Sequence, residues 1–250
     1  MKEVLKLKDV SKEYGTRGFK SKVLNNISLN VNEGDFISIM GPSGAGKTTL
    51  LNLISTLDKP TKGEILLDNI DVVKVKNKDL SKLRREKIGF IFQDYNLLDN
   101  MNLMDNIALP LALGRKKSKE IEDEVRRISK IFGLEEHLKK YPYELSGGQK
   151  QRGAAARALI TKPKIIFADE PTGALDSKSS SDLLESLKRA NEEENATIVM
   201  VTHDALCASY SKSVYMLSDG EIKCRLDSSN NKKEFYGKII DMLAAMGGAK

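Results

Sequence analysis

The chain has little cysteine, little histidine, no long apolar run and no dominant sign of charge. Its two cysteines, Cys207 and Cys224, form neither a disulfide framework nor a C-x-x-C metal pair. They are expected to be inert core thiols in a reducing cytosol, and a structural zinc is not expected. The longest apolar stretches, such as Ile107 to Leu113 and Thr197 to Val201, fall far short of the roughly 18–20 residues that a membrane-crossing helix needs. Met1-Lys2-Glu3 does not open a signal peptide, so a soluble chain that is not exported is expected. The net charge of +6 arises from 41 basic and 35 acidic side chains, but the two signs are interleaved along most of the sequence. The basic run Arg115-Lys116-Lys117-Ser118-Lys119 turns at once into Glu120-Ile121-Glu122-Asp123-Glu124. That is how charge is placed at a helix end, not along a groove tracking phosphates, and no nucleic-acid partner is expected. Of the two histidines, His137 lies among charged residues and reads as a surface side chain.

What the chain does have is enough length, 250 residues at 40% hydrophobic content, to bury a sizeable core as one α/β domain or as a core with a helical insert. The apolar run Phe36 to Met40 leads through Gly41-Pro42-Ser43-Gly44-Ala45-Gly46-Lys47-Thr48-Thr49 into Leu50 to Leu57. Buried strand, glycine loop and helix in that order make a P-loop; the competing reading is an ordinary glycine turn. In a P-loop the backbone amides around Gly41, Ser43, Gly44 and Gly46 approach phosphate oxygens. The start of the helix contributes its positive dipole end, Lys47 a full charge and Thr48 a hydroxyl for Mg²⁺.

Upstream, residues 4–10 and 23–32 alternate apolar and polar side chains as half-buried antiparallel strands do, forming a β-layer beside the P-loop core. Tyr14 stands just before a loop, Thr16 to Lys22, carrying Arg17, Lys20 and Lys22. It either stacks on a purine or is a strand-end tyrosine with an apolar body and a wet hydroxyl. Downstream, Ile88 to Gln93 is a buried strand that delivers Gln93 to its C-terminal end, where open α/β sheets gather ligand contacts. By itself Gln93 would be a loop residue. Residues 95–145 carry helical apolar spacing over Asn102–Leu113 and Lys119–Phe132 and read as the helical insert. It ends at Leu145-Ser146-Gly147-Gly148-Gln149, where Ser146 and the following amides start a second helix able to hold an anion.

Lys164 to Glu170 is a buried strand closed by two adjacent carboxylates, Asp169 suited to Mg²⁺ and Glu170 to polarising a water. The strand Thr197–Val201 ends at Thr202-His203-Asp204. Alone, His203 would be a satisfied structural histidine; beside a P-loop and an acidic strand end it is a candidate γ-phosphate contact. From Asp227 the chain is a polar hinge followed by a helix with Phe235, Ile239, Ile240, Leu243 and Met246 on one face. That helix covers its own core or meets a partner. The expected division is a cassette over 1–226 and a tail helix over 227–250.

Gly41 to Thr48, Gln93, Leu145 to Gln149, Asp169-Glu170, Gly173-Ala174-Leu175-Asp176 and His203 stand in the order of an ABC-transporter ATP-binding cassette, which the chain resembles across residues 4–226. The resemblance implies ATP and Mg²⁺ and two copies of the chain facing head to tail. Each ATP then lies between one copy's P-loop and the other copy's Ser146, Gly148 and Gln149. It makes Tyr14 the adenine-stacking aromatic, Gln93 the sensor of Mg²⁺ and of a transmembrane partner, and Glu170 the general base. Asp176 becomes the loop acid that crosses the dimer and His203 the γ-phosphate switch. Within the family, the loop after Tyr14 and the segment Asp169 to Ser177 resemble the macrolide-export and lipoprotein-release branch. Phe90 to Asp99 and Phe167 to Ser179 are closer to bacitracin-resistance-type peptide transporters. Such cassettes drive a separate permease from the cytoplasmic face of the membrane, often beside a histidine-kinase sensor. The alternative is a signalling or cell-division cassette that transmits force and moves no substrate. A chromosome or repair ATPase would carry a long coiled coil or zinc cysteines, and a translation-factor type would hold two cassettes.

Overall fold

The computed structural model describes residues 2–16, 19–229 and 231–247. The chain opens with a long antiparallel hairpin, β1 (Glu3–Thr16) and β2 (Phe19–Asn32), followed by β3 (Phe36–Met40) and α1 (Lys47–Ile54). Then come β4 (Lys62–Leu67), the short β5 (Ile70–Asp71), α2 (Asn77–Lys87) and β6 (Ile88–Ile91). The helical insert supplies α3 (Leu103–Leu113) and α4 (Ser118–Phe132) and leads into α5 (Gly147–Leu159). The rest runs β7 (Ile165–Asp169), α6 (Ser177–Glu194), β8 (Ile198–Val201), α7 (Ala205–Ala208), β9 (Ser213–Ser218), β10 (Glu221–Asp227) and α8 (Lys232–Gly247). The strands build two sheets, a four-stranded one in the order β2-β1-β4-β5 and a six-stranded one in the order β10-β9-β3-β8-β7-β6. The first is antiparallel. The second is parallel from β9 through β6, with β10 antiparallel on its edge.

The apolar runs of the central strands follow from burial on both faces. Successive side chains of a strand point to opposite sides, and the two sides serve different cores. Ile37 and Ile39 of β3, Phe167 of β7 and Val199 and Val201 of β8 face α1 and the antiparallel sheet. Phe36, Ile166, Ala168, Ile198 and Met200 face the helices of the insert, α5 and α6. Helix α4 turns Val125, Ile128, Ile131 and Phe132 inward and stops at Gly133, whose φ of 60° is the left-handed conformation that ends helices. Each such Leu, Ile or Phe taken from water contributes about 1.5–3 kcal/mol, so sheet and helices are held as one body around the strand ends.

The expected fold, a P-loop α/β core with an antiparallel β-layer and a helical insert, is the one observed. Several details differ. The segment read as a loop from Thr16 to Lys22 is largely strand: Lys20, Ser21 and Lys22 pair with Gly15, Tyr14 and Glu13. These residues carry no apolar alternation because the hairpin extends beyond the core, and Lys20 meets Glu13 across it at 3.4 Å. Arg17, in the same segment, lies outside the described residues. The hairpin of β9 and β10 was not anticipated, although its turn Asp219-Gly220, with φ of 50° and 74°, is the dipeptide that favours a tight hairpin. Asp227 therefore ends a strand and is not part of the hinge, and Asn230 lies outside the described residues. In α8, Phe235 and Ile239 are fully buried against Met40, Val214 and Met216, with Leu243 and Met246 packed beside them. Ile240, expected on that face, is 41% exposed. Cys207 is buried and burial pushes its thiol up to about 12, whereas Cys224 sits half-buried on β10, packed against the core that α8 covers. Among the described residues, no helix is long and apolar enough to cross a membrane.

Candidate functional site

Strand β3, the glycine loop and α1 present the first half of the site. Gly46 caps α1 with a φ of 101°, and the helix has no side-chain cap, so its first amides are left for a ligand. Glycine is required twice over. A Cβ at Gly46 would stand 2.7 Å from Cδ2 of Leu24, and one at Gly41 would stand 1.9 Å from the carbonyl oxygen of Leu217. Nζ of Lys47 donates to the carbonyls of Gly41 at 2.8 Å and Pro42 at 2.9 Å, which parks a positive charge along the loop. Ser43, Gly44 and Thr48 are exposed on the same turn, and Thr49 is half-buried behind them.

Tyr14, near the end of β1, belongs to this half. It is 42% exposed, and its hydroxyl donates to Oδ2 of Asp58 at 2.8 Å. Burial and then this bond raise the phenol above its ordinary pKa, and the Thr49 side chain is close enough to offset part of the rise. Nζ of Lys12 bonds the same carboxylate, with Oδ1 at 2.8 Å, and stands 4.7 Å from the Tyr14 ring centre. Burial works against the charge on Asp58, but the bonds from Lys12 and Tyr14 hold its carboxyl below the usual range. The ring is thus fixed at its hydroxyl and flanked by a cation.

The C-terminal ends of β6, β7 and β8 supply the second part. Asp169 is the last residue of β7. Burial and then the charge of Glu170 raise its pKa, while Lys47 acts in the opposite direction, so both charges are near enough to be felt by Asp169. Glu170 takes a left-handed φ of 44°, and its Oε1 lies 2.9 Å from Nδ1 of His203. Gln93 lies two residues beyond β6 and packs on the loop after β7: a Cβ on Gly173 would stand 3.0 Å from its Nε2. Lys47, Asp169, Glu170 and His203 come together, with Gln93 against the adjoining loop.

The start of α5 is a separate candidate anion-binding turn. Oγ of Ser146 accepts from the amide of Gln149 at 3.3 Å, and Oε1 of Gln149 accepts from the amide of Ser146 at 2.9 Å. This reciprocal cap orders the turn and leaves the amides of Gly147 and Gly148 at the helix start. Gly148 has no room for a side chain, since a Cβ would stand 2.6 Å from Oγ of Ser179. Asp176 caps α6 through that serine, accepting from its amide at 2.8 Å and its hydroxyl at 2.9 Å; these bonds hold its carboxyl below the ordinary range. His137 is not the plain surface residue expected. It is half-buried, with Nε2 3.1 Å from Nε2 of Gln149. The parts played by Asp58 and His137, and the contact of Ser179 with Gly148, carry no signal in the sequence, because each depends on a contact between segments apart in the chain.

Residues 24–173 match the family described as ABC transporter. The chain is 45% identical to the bacitracin export ATP-binding protein BceA of Halalkalibacterium halodurans, over 99% of this chain and 98% of that protein. It is 45% identical to the macrolide export ATP-binding/permease protein MacB of Campylobacter jejuni over 94% of this chain, which is 35% of that longer protein. Among solved structures, the cassette MJ0796 bound to ADP and Pi in a dimeric post-hydrolysis state superposes with a TM-score of 0.80. That chain is 42% identical, and the match covers 91% of this chain and 100% of that one.

Proposed function

The chain belongs to the ABC transporter family as an ATP-binding cassette, and from that premise we propose that it powers a separate membrane permease for resistance to, or export of, peptide antibiotics. It hydrolyses ATP with Mg²⁺, pairs with a second copy of itself and couples hydrolysis to transport. The peptide class rests on the similarity to the bacitracin exporter over nearly the whole of both chains.

In the mechanism proposed here, Tyr14 receives the adenine on the ring face not taken by Lys12. The amides of the loop from Gly41 to Thr49 cradle the phosphates, and Lys47 exchanges its carbonyl partners for phosphate oxygens. The hydroxyl of Thr48, the amide oxygen of Gln93 and the carboxylate of Asp169 are hard oxygen donors of the kind Mg²⁺ takes. Asp169 is partly buried beside a second carboxylate, Glu170, whose charge adds to burial in raising its pKa, so an oxygen-donor set with surplus negative charge is at hand and the residues fit the ion. Mg²⁺ bound there would offset charge on the phosphate oxygens. Glu170 takes a proton from the attacking water. A carboxylate only accepts hydrogen bonds, so Nδ1 of His203 carries the hydrogen between them; Nε2 faces the γ-phosphate and donates to it in the form of the ring that carries a hydrogen on both nitrogens. Ser146, Gly148 and Gln149 complete the site from the second copy, with Asp176 near the junction.

The observation that carries this reading is the Glu170–His203 pair beside Asp169 and the P-loop lysine. Partner docking is assigned to the exposed Phe92 and Leu98, between the Gln93 loop and the insert. This attaches the chain to the cytoplasmic face of the membrane through the permease, which in turn is read by a histidine-kinase sensor. Two experiments test the proposal: Mg²⁺-dependent phosphate release by the purified chain, and its co-purification from membranes with a permease whose presence raises that rate when a peptide antibiotic is added. A permease-bound chain indifferent to every such peptide would contradict the substrate class.

A further inference from the structure

Gln151 lies on α5, five residues beyond Ser146, and is fully buried. Its Nε2 donates to the carbonyl of Phe92 at 2.9 Å and to the carbonyl of Pro171 at 2.7 Å. Phe92 immediately precedes Gln93, and Pro171 immediately follows Glu170. Both partners are carbonyls, so only the amide NH₂ can face them, and its two hydrogens are both used. The price is paid by Oε1, which is buried and meets no partner among the described residues. An unpaired buried oxygen is costly, and a packing role alone would be better served by an apolar side chain of the same length.

From these contacts we propose that Gln151 is a positioning residue that holds the Gln93 loop and the Glu170 loop in one register and ties both to the helix that starts at Ser146. The two loops also touch directly, Gln93 against Gly173, and Glu170 holds a left-handed φ that few non-glycine residues adopt unaided. The amide of Glu170 is held by the sheet at Val201 and its carbonyl by Gly173; Pro171 has no N–H to anchor the turn from its own side, so its carbonyl, held from α5, is the third point that fixes the turn. One side chain therefore links the ion contact, the base and the anion-binding helix start. A movement of α5 on pairing with the second copy reaches both loops together. This inference rests on the roles proposed for Gln93 and Glu170.

The test compares the full-length wild type with Gln151→Met, which keeps length and bulk but has no donor. Four quantities are measured: melting temperature, the dissociation constant of a fluorescent ATP analogue, and kcat and KM for ATP hydrolysis. The expected result is a kcat reduced tenfold or more, with the dissociation constant within about twofold and the melting temperature lowered by only a few degrees, since removing the orphaned oxygen offsets part of the cost of leaving the carbonyls of Phe92 and Pro171 without the amide. A kcat within twofold of wild type overturns the inference. So does a variant that fails to fold, or that loses melting temperature, affinity and kcat in parallel, because Gln151 would then be a packing residue only. A wild-type chain that releases no phosphate in the same assay would instead contradict the roles proposed for Glu170 and Gln93.

Discussion

Glu170 and His203 meet Oε1 to Nδ1 at 2.9 Å, each just past the end of one of two neighbouring parallel strands. The amide of Glu170 donates to the carbonyl of Val201 at 2.9 Å, so the sheet ladder itself sets their separation. The acid is therefore placed by the fold before any nucleotide arrives. His203 is 72% exposed at its side chain while Glu170 is 20% exposed: the histidine faces outward and the carboxylate is sheltered behind it.

Removing the carboxylate tests the base. Glu170→Gln keeps size and shape but cannot take a proton, and turnover should fall by about 10²–10⁴, the usual worth of a positioned base. ATP binding should persist and the ATP-bound dimer should accumulate on size exclusion. Turnover within a few-fold of wild type would remove Glu170 from the role.

At Asp169 the proposed ion-binding role comes at a cost to stability. Its folded-state pKa is raised, by burial first and then by Glu170, so the folded protein holds that proton more tightly than the unfolded chain does. Stability from this group is greatest below the unfolded value near pH ~4 and declines as pH rises through the folded one. At neutral pH the ionised carboxylate is a net cost. Asp169→Asn should therefore melt at a higher temperature than wild type at pH 7, with the difference shrinking toward pH ~4, while Mg²⁺-dependent hydrolysis collapses. A lower melting temperature at pH 7 would contradict the sign.

How much of this could be read from the sequence depended on whether the pieces lie next to each other in the chain. Gly41 to Thr48 and Ser146 to Gln149 are contiguous and lie between a strand and a helix or at a helix start, so spacing alone exposed them. Asp169-Glu170 stood out because two acids close a buried strand. Tyr14 could be noticed, but Asp58, 44 residues away, could not be linked to it. Gln151 looked like one more polar residue of a helix, because only folding brings the carbonyls of Phe92 and Pro171 to its amide. The first hairpin outran its apolar alternation, since backbone pairing continues past the core where side chains on both faces are wet.

Coupling to the permease separates Leu98 from Tyr95, which the sequence treats alike. Tyr95 packs its hydroxyl on the start of α5, where a Cβ on Gly147 would lie 3.0 Å from it, so changing it disturbs the anion site as well. The backbone of Leu98 is instead pinned on both sides by the buried Asn106, its amide at 2.7 Å and its carbonyl at 3.0 Å, and its side chain is 41% exposed. Leu98→Ala should leave melting temperature and isolated-cassette ATPase within a few-fold of wild type and weaken permease-stimulated ATPase about tenfold, the scale on which losing a buried leucine contact acts at an interface. A parallel fall in all three would make Leu98 part of the insert's packing and end the docking assignment.

The central claim is that one copy's P-loop and the other copy's α5 start share each ATP. It is tested most directly by counting trapped nucleotide in a Glu170→Gln background. Chains that also carry Lys47→Ala, and chains that also carry Ser146→Arg, should each trap none alone. Mixed, they should form heterodimers with one intact site and retain one ATP per two chains. Full trapping by the Ser146→Arg chains alone, or none by a verified heterodimer, would contradict a site built from two copies.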